Sequence, residues 1–318
     1  MASDAQVPAP PAREENRTMT TRILPSRIIR ALLACGLLLA ATGPAAAVPQ
    51  IESTYGGQSP WLGGELNALG VTGAAVGRGA ASNLLNPAGL ATVSGIRLDV
   101  GMSSALHEED RFMPVFDSFE SIVTDMAIAS NQNTWLAGGF GLALPLWEAP
   151  VPLTAGVSLL ERYPYRYRFE EEIRDPSPFS DPRDRIIENR TYEVEGALRT
   201  LSLGLAGEVV PERVSVGVAV HYGFGDRDES AVLRDNQLGD GDQSFDLRDE
   251  WDLSGVHATV GVQARVHPRV RVGAALETRL EVDGDLRSSA ITAGDSVAAV
   301  VETEQSLKYP AVWRFGAA

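Results

Sequence analysis

The stretch Arg213–Gly225, RVSVGVAVHYGFG, decides how this chain folds. Val214, Val216, Val218, Val220, Tyr222 and Phe224 fall on one face, and Ser215, Gly217, Ala219, His221 and Gly223 on the other. Successive strand side chains point to opposite faces, so the run reads as a strand with one apolar side and one small or polar side. Upstream, Leu201, Leu203 and Leu205 alternate with Ser202, Gly204 and Ala206, and VVPER joins the two runs as a tight turn. The same alternation recurs in GVHATVGVQARVH and in RVRVGAALETRLEVDG, with HPR between them, and in TWLAGGFGLALPL, which leads through WEAPVP into LTAGVSLLERYPYRYRF.

The connections alternate as well. WEAPVP, VVPER and HPR are short, whereas Arg166–Arg190, Asp226–Asp252 and Asp283–Glu304 are long, polar and acidic. A soluble sandwich or lipocalin-like barrel accommodates the strand pattern of any one segment. The rhythm of short turns and long loops, with apolar-out and polar-in strands of about ten residues, is that of a transmembrane β-barrel. Charges on the second face, such as Arg265, Glu277 and Arg279, suit a wet lumen better than a dry core. Trp135, Trp147, Tyr163, Tyr165, Tyr167, Tyr222 and Phe224 near strand ends read as interfacial aromatics.

The N-terminal part reads as a secretory signal peptide over residues 1–47. Arg22, Arg27 and Arg30 form a positive region, ALLACGLLLAA a short apolar core, and Ala45–Ala47 a small-residue cleavage site before Val48. Cys35 is the single cysteine and lies in that leader, so the exported part has no disulfide framework. LLAC at Leu32–Cys35 lacks the apolar run that a lipobox needs in front of its cysteine. The formal net charge is -15, and the leader carries five Arg and three acids, so the remainder is more acidic still. That argues against nucleic acid and against an anionic membrane surface as partners. No later segment has the ~20 apolar residues of a membrane helix.

Residues 48–94 lack alternation and are rich in Gly, Ala and Asn, culminating in SNLLNPAGLA. Such a segment is too small-sided to build its own core. Its expected location is inside the barrel, packed against the wall as a plug, with Asn86-Pro87 turning the chain into the first strand. Here LGVTGAAVGRGAASNLLNPAGLATVSG resembles the N-terminal hatch of the FadL/TodX family of outer-membrane transport proteins, with Asn86, Pro87, Ala88 and Gly89 matching its Asn-Pro-Ala motif. YPAVWRFGAA at Tyr309–Ala318 is similar to the family's late Pro-x-x-Trp-x-x-Gly segment. The resemblance implies a fourteen-stranded barrel with a lumenal hatch in a bacterial outer membrane. It implies capture of hydrophobic molecules from outside, their release through a lateral opening in the wall, and no chemical step. Roughly nine strands are countable over residues 95–318, whereas single-chain bacterial barrels carry even numbers, so the expectation is a barrel lacking its C-terminal strands.

In FMPVFDSFESIVTDMAIASN, Phe112, Phe116 (or Val115), Phe119, Val123 (or Ile122) and Met126 recur at helical spacing, which predicts an amphipathic helix in the first extracellular loop. These side chains are candidates for capturing an apolar ligand, with packing on the barrel rim as the plainer role. Other motifs carry little. The chain has no H-E-x-x-H, Walker loop or G-x-S-x-G, and its four histidines are far apart in sequence. GVTGAAVG follows no strand, which argues against a nucleotide loop. Asp235, Asp240, Asp242 and Asp246 do not have EF-hand spacing and read as a solvated loop.

The expectation is therefore an all-β antiparallel transmembrane barrel with a lumenal hatch, serving as a passive, non-enzymatic outer-membrane channel for fatty-acid-like molecules. It would work as a monomer among outer-membrane lipids, with no cofactor and no metal. The alternatives are a hatch-bearing barrel that serves as a structural or secretion-accessory docking protein, and an outer-membrane enzyme such as a lipid hydrolase.

Overall fold

The computed structural model describes residues 55–57, 73–117, 119, 121–147, 151–175, 185–236, 242–293 and 299–318. The expected leader and much of the expected plug lie outside the described residues. The alternation in the sequence becomes eleven strands: β1 (Arg97–Phe116), β2 (Ile122–Trp147), β3 (Leu153–Pro164), β4 (Tyr167–Arg174), β5 (Ile186–Val210), β6 (Val214–Asp235), β7 (Phe245–His267), β8 (Val270–Glu277), β9 (Leu280–Thr292), β10 (Ala299–Tyr309) and β11 (Val312–Ala317). All pair antiparallel in one sheet, in the order β1-β2-β3-β5-β6-β7-β8-β11; β4 lies on β5, β9 on β7 and β10 on β9. Among the described residues β1 pairs only with β2 and β11 only with β8.

Three sequence-based expectations need correction. The acidic stretches are not simply loops. β4 to β7, β9 and β10 run into them, so that strands such as β5 and β6 reach 25 and 22 residues rather than about ten. Opposite charges stabilise these extensions, as in Arg168 with Glu170 and Glu193, and Arg227 with Glu229. The Phe112–Met126 segment is a hairpin, not a helix. Phe112 stands opposite Ala127, Met113 opposite Met126 and Phe116 opposite Ile122. Asp117 closes the turn by accepting from the amides of Phe119 and Ser121. Pro114 would have broken a helix interior, and an edge strand tolerates it. Finally, Tyr163, Tyr165 and Tyr167 do not form an interfacial belt. They are buried with Phe169, Trp251 and Leu280 in an aromatic cluster.

The sheet curls. β3 and β8 are four places apart in the strand order, yet Arg162 on β3 donates to Glu277 on β8. The rings of Tyr163 and Tyr309 stack with centroids 4.0 Å apart. The face turned inward is the small and polar one. Ala219, His221, Ser202, Thr259 and Gln263 are buried. The face turned outward is apolar and exposed, with Val218, Val220, Leu203, Val256 and Val260 all between 45% and 62% accessible. Burial is thus inverted relative to a soluble sandwich.

A short segment fills the curl: helix α1 (Gly73–Val76), helix α2 (Ser82–Leu85) and a 3-10 turn (Pro87–Thr92). It packs on β3, β5, β6, β7, β8 and β11. It fits because facing strands present glycine. A Cβ at Gly217 would lie 2.4 Å from the carbonyl carbon of Pro87, and one at Gly261 2.0 Å from Asn86 Oδ1. Gly204 and Gly156 are register partners beneath Asn83 and Leu90, and Gly273 and Gly316 are partners beneath α1.

Gly217→Ala and Gly261→Ala should each lower the thermal midpoint, by overpacking worth about 1–3 kcal/mol. Gly138→Ala, where a Cβ would meet nothing closer than 3.6 Å, should not. Equal effects at all three positions would remove the seat from the account.

Candidate functional site

Asn86 fixes the packed segment to the wall. Its Nδ2 donates to the carbonyls of Ala74 at 2.7 Å and Val262 at 3.0 Å, and its Oδ1 accepts from the Ala88 amide at 3.1 Å. The side chain thereby caps the 3-10 turn, with Pro87 at a first-turn position where no amide hydrogen is needed. Gln263 Nε2 adds a bond to Ala74 O at 3.2 Å. Asn86, Pro87, Ala88 and Gly89 are all buried, so the structure brings these four expected residues together at the contact between segment and sheet.

Above this contact lies a buried polar layer. Arg162 Nη2 is 2.8 Å from Glu277 Oε2, Arg314 binds the same oxygen, and His257 Nε2 is 3.2 Å from Glu277 Oε1. The ring of His221 lies 4.5 Å from that of His257 and bridges the hydroxyls of Ser202 and Thr259 at 2.8 and 2.9 Å. Two histidines far apart in sequence are therefore cross-strand register partners. Glu277 is not a wet lumenal charge, as its alternation suggested, but a closed ion cluster. Among the described residues no group of three or more His, Cys, Asp or Glu could hold a metal ion.

Beyond the ion layer stands the aromatic cluster. Tyr309 donates to the Tyr55 carbonyl at 2.8 Å, which leaves its oxygen to accept from Tyr165 at 2.9 Å. His107 and Trp135 stack at 5.5 Å on the β1–β2 side. The expected capture residues are not part of this interior. Phe112 is 63% exposed and Phe119 86%, with Phe116 at the same exposed hairpin end. The side chains of Val123 and Met126 lie outside the described residues.

The wall has a break. β2 and β3 form backbone rungs from Trp147↔Leu153 up to Gly139↔Leu160 and no further. The next contact is Asn133 Nδ2 to the Arg168 carbonyl at 3.1 Å. Between these points β2 advances six residues and β3–β4 eight. The surplus goes into a bulge at Arg162 and into Tyr165-Arg166, which lie between β3 and β4 with Arg166 tied back to Glu161 at 2.7 Å. Pro164 has no amide to offer β2, and Tyr165 donates to Gly196 on β5 instead. Leu136, Thr134 and Gly138 border the break on one side, and Glu161 and Pro164 on the other. Sequence reasoning missed it; the signal was Tyr163-Pro164-Tyr165 interrupting an alternating run.

No family model matches this chain, and the comparisons found no curated protein or solved structure similar to it.

Removing Glu277 leaves two guanidinium groups in a dry layer. Glu277→Gln should cost about 3–5 kcal/mol in denaturant unfolding, whereas replacing Arg162, Glu277 and Arg314 together by Met should recover most of it. An equal loss in both variants would mean that the cost does not come from leaving the two guanidinium groups without their shared carboxylate. On the exposed face at the far end of β6, partial burial and the neighbouring Asp226, Glu250, Asp252 and Glu195 push the Asp228 carboxyl up. A raised carboxyl favours the protonated folded state, so stability is greatest below the ordinary carboxylate range and falls as pH rises through the folded pKa. Asp228→Asn should therefore raise the melting temperature at neutral pH and lose that advantage in acid; a pH-independent gain would assign the effect to something other than its charge.

Proposed function

We propose that this chain builds wall and hatch of an outer-membrane channel for the passive uptake of hydrophobic molecules such as long-chain fatty acids. The observation that carries this reading is the inverted burial. A continuous apolar face of this extent is left without a partner in water, and lipid is the solvent it suits. On β6 the outward-facing apolar run extends from Val214 to Phe224, exposed from Val216 to Tyr222 and half-buried at its two ends. Ten residue steps at ~3.3 Å, tilted by ~40°, give a band about 25 Å tall, the height of the apolar belt on outer-membrane barrels. Arg199 and Asp226 border it on the side toward the strand extensions. A bilayer tolerates no open sheet edge, so the reading requires the free edges of β1 and β11 to be covered by further strands.

The segment around Asn86 is the hatch in this reading, as its resemblance to the FadL/TodX family implies. In this reading the ion layer lies over it and stands across the axial path. The break between β2 and β3–β4 opens instead on the exposed face, beside the aromatic cluster, and supports a lateral exit. A ligand would be captured at the aromatic end, pass the cluster and leave sideways into the bilayer. The exposed Phe112, Phe116 and Phe119 at the β1–β2 hairpin end remain the candidate capture residues.

Native mass spectrometry of the full chain extracted gently from outer membranes tests this directly. A bound fatty-acid-like molecule is expected, and its loss in the Phe116→Asp/Phe119→Asp variant would assign capture to the hairpin. An empty chain with a stoichiometric protein partner would replace transport by docking. Val218→Arg should cost about 2–4 kcal/mol if this face meets the bilayer midplane; a negligible cost would argue that it meets water.

A further inference from the structure

We propose that Asn131 and Asn133 form a side-chain latch that sets the width of the wall break, and with it the girth of the apolar molecule that can leave. The inference rests on the lateral-exit reading. Ordinary sheet neighbours are held about 4.8 Å apart by backbone-to-backbone rungs. Beyond the break, three hydrogen bonds join β2 to β4, and each has an asparagine side chain on β2 and backbone on β4. Asn131 Oδ1 accepts from the Glu170 amide at 3.0 Å, and its Nδ2 donates to the Glu170 carbonyl at 3.3 Å. Asn133 Nδ2 donates to the Arg168 carbonyl at 3.1 Å. The asparagines are two residues apart, as are their partners, and run in opposite directions. They therefore follow the antiparallel sense of a ladder, with a side chain inserted into every rung in place of a backbone group.

Both lips of this seam are held independently on their other edges. β2 stays paired to β1 through Asn131↔Glu109 and Asn133↔His107. β4 stays paired to β5 through Arg168↔Glu193 and Glu170↔Thr191. The seam can therefore part without unpairing either strand from its own hairpin. The two surplus residues of β3–β4 supply the slack. His107 stacks on Trp135, and its ring lies 6.4 Å from that of Tyr167 on β4, so rings of β1, β2 and β4 meet beside the latch, where a molecule leaving the aromatic cluster would reach it.

The test uses the full chain in bacterial cells that lack their own fatty-acid channel. Its probes are radiolabelled oleate, which is slender, and pyrene-dodecanoate, which carries a bulky ring system. The readout is the ratio of the two initial uptake rates, which loss of folded copies does not change. Asn131→Ala/Asn133→Ala should raise the pyrene-to-oleate ratio severalfold. Asn133→Asp, which keeps shape but turns the donor to Arg168 into a repelled acceptor, should raise it in the same direction by less. An unchanged ratio in both variants, with oleate entering the parent, overturns the latch and leaves the exit reading standing. A parent that carries neither probe faster than cells without the chain overturns the exit reading and the latch together.

Discussion

The fit of a backbone segment against glycine governs this structure. The strands carry their bulk outward, so the sheet cannot fill its own inner side. What fills it is the turn at Asn86-Pro87, and a backbone can come this close to a strand only where the strand has no Cβ. Gly217 and Gly261, adjacent in register, take the turn itself. Asn86 then satisfies carbonyls of the segment and of β7 with one amide. A larger residue on either side would separate the surfaces and strand those polar groups without partners.

The interior above that contact is layered by chemistry. Directly over the turn, Arg162, Arg314 and His257 converge on the single carboxylate of Glu277 across the curl. Beyond it come rings: Tyr163, Tyr165, Tyr309 and Trp251, with Tyr55 of the N-terminal segment bonded to Tyr309. Among the described residues the ladder between β2 and β3 ends where Pro164 and the Arg162 bulge take β3 out of register with β2. The same bulge shifts the parity of the strand, so that Arg162 continues the inward face of β3 while Tyr163 and Tyr165 beyond it are buried as well.

Much of the fold was legible from alternation. The turns at VVPER and HPR, the faces of β5 to β8, and the seating of Asn86-Pro87 against the sheet follow from period-two patterning and from small residues. The hairpin at Phe112–Phe116 was misread because aromatic spacing there satisfies a helical period by coincidence. Pro114 and the side-chain-capped turn at Asp117 held the contrary information. The tyrosines of YPYRY were assigned to a lipid belt because strand-end aromatics usually face outward. Their direction changes at the kink, which one-dimensional periodicity does not register.

The sequence by itself determined that the chain is an antiparallel sheet with one apolar and one small-sided face, because side-chain direction along a strand depends only on residue parity. Only the tertiary structure decided which face turns inward, that His221 meets His257, that Arg162 reaches Glu277 across the curl, and where the wall parts. Those depend on sheet curvature and on register between strands distant in sequence. Both are set by the glycine seat and by bulges whose effect is geometric rather than compositional.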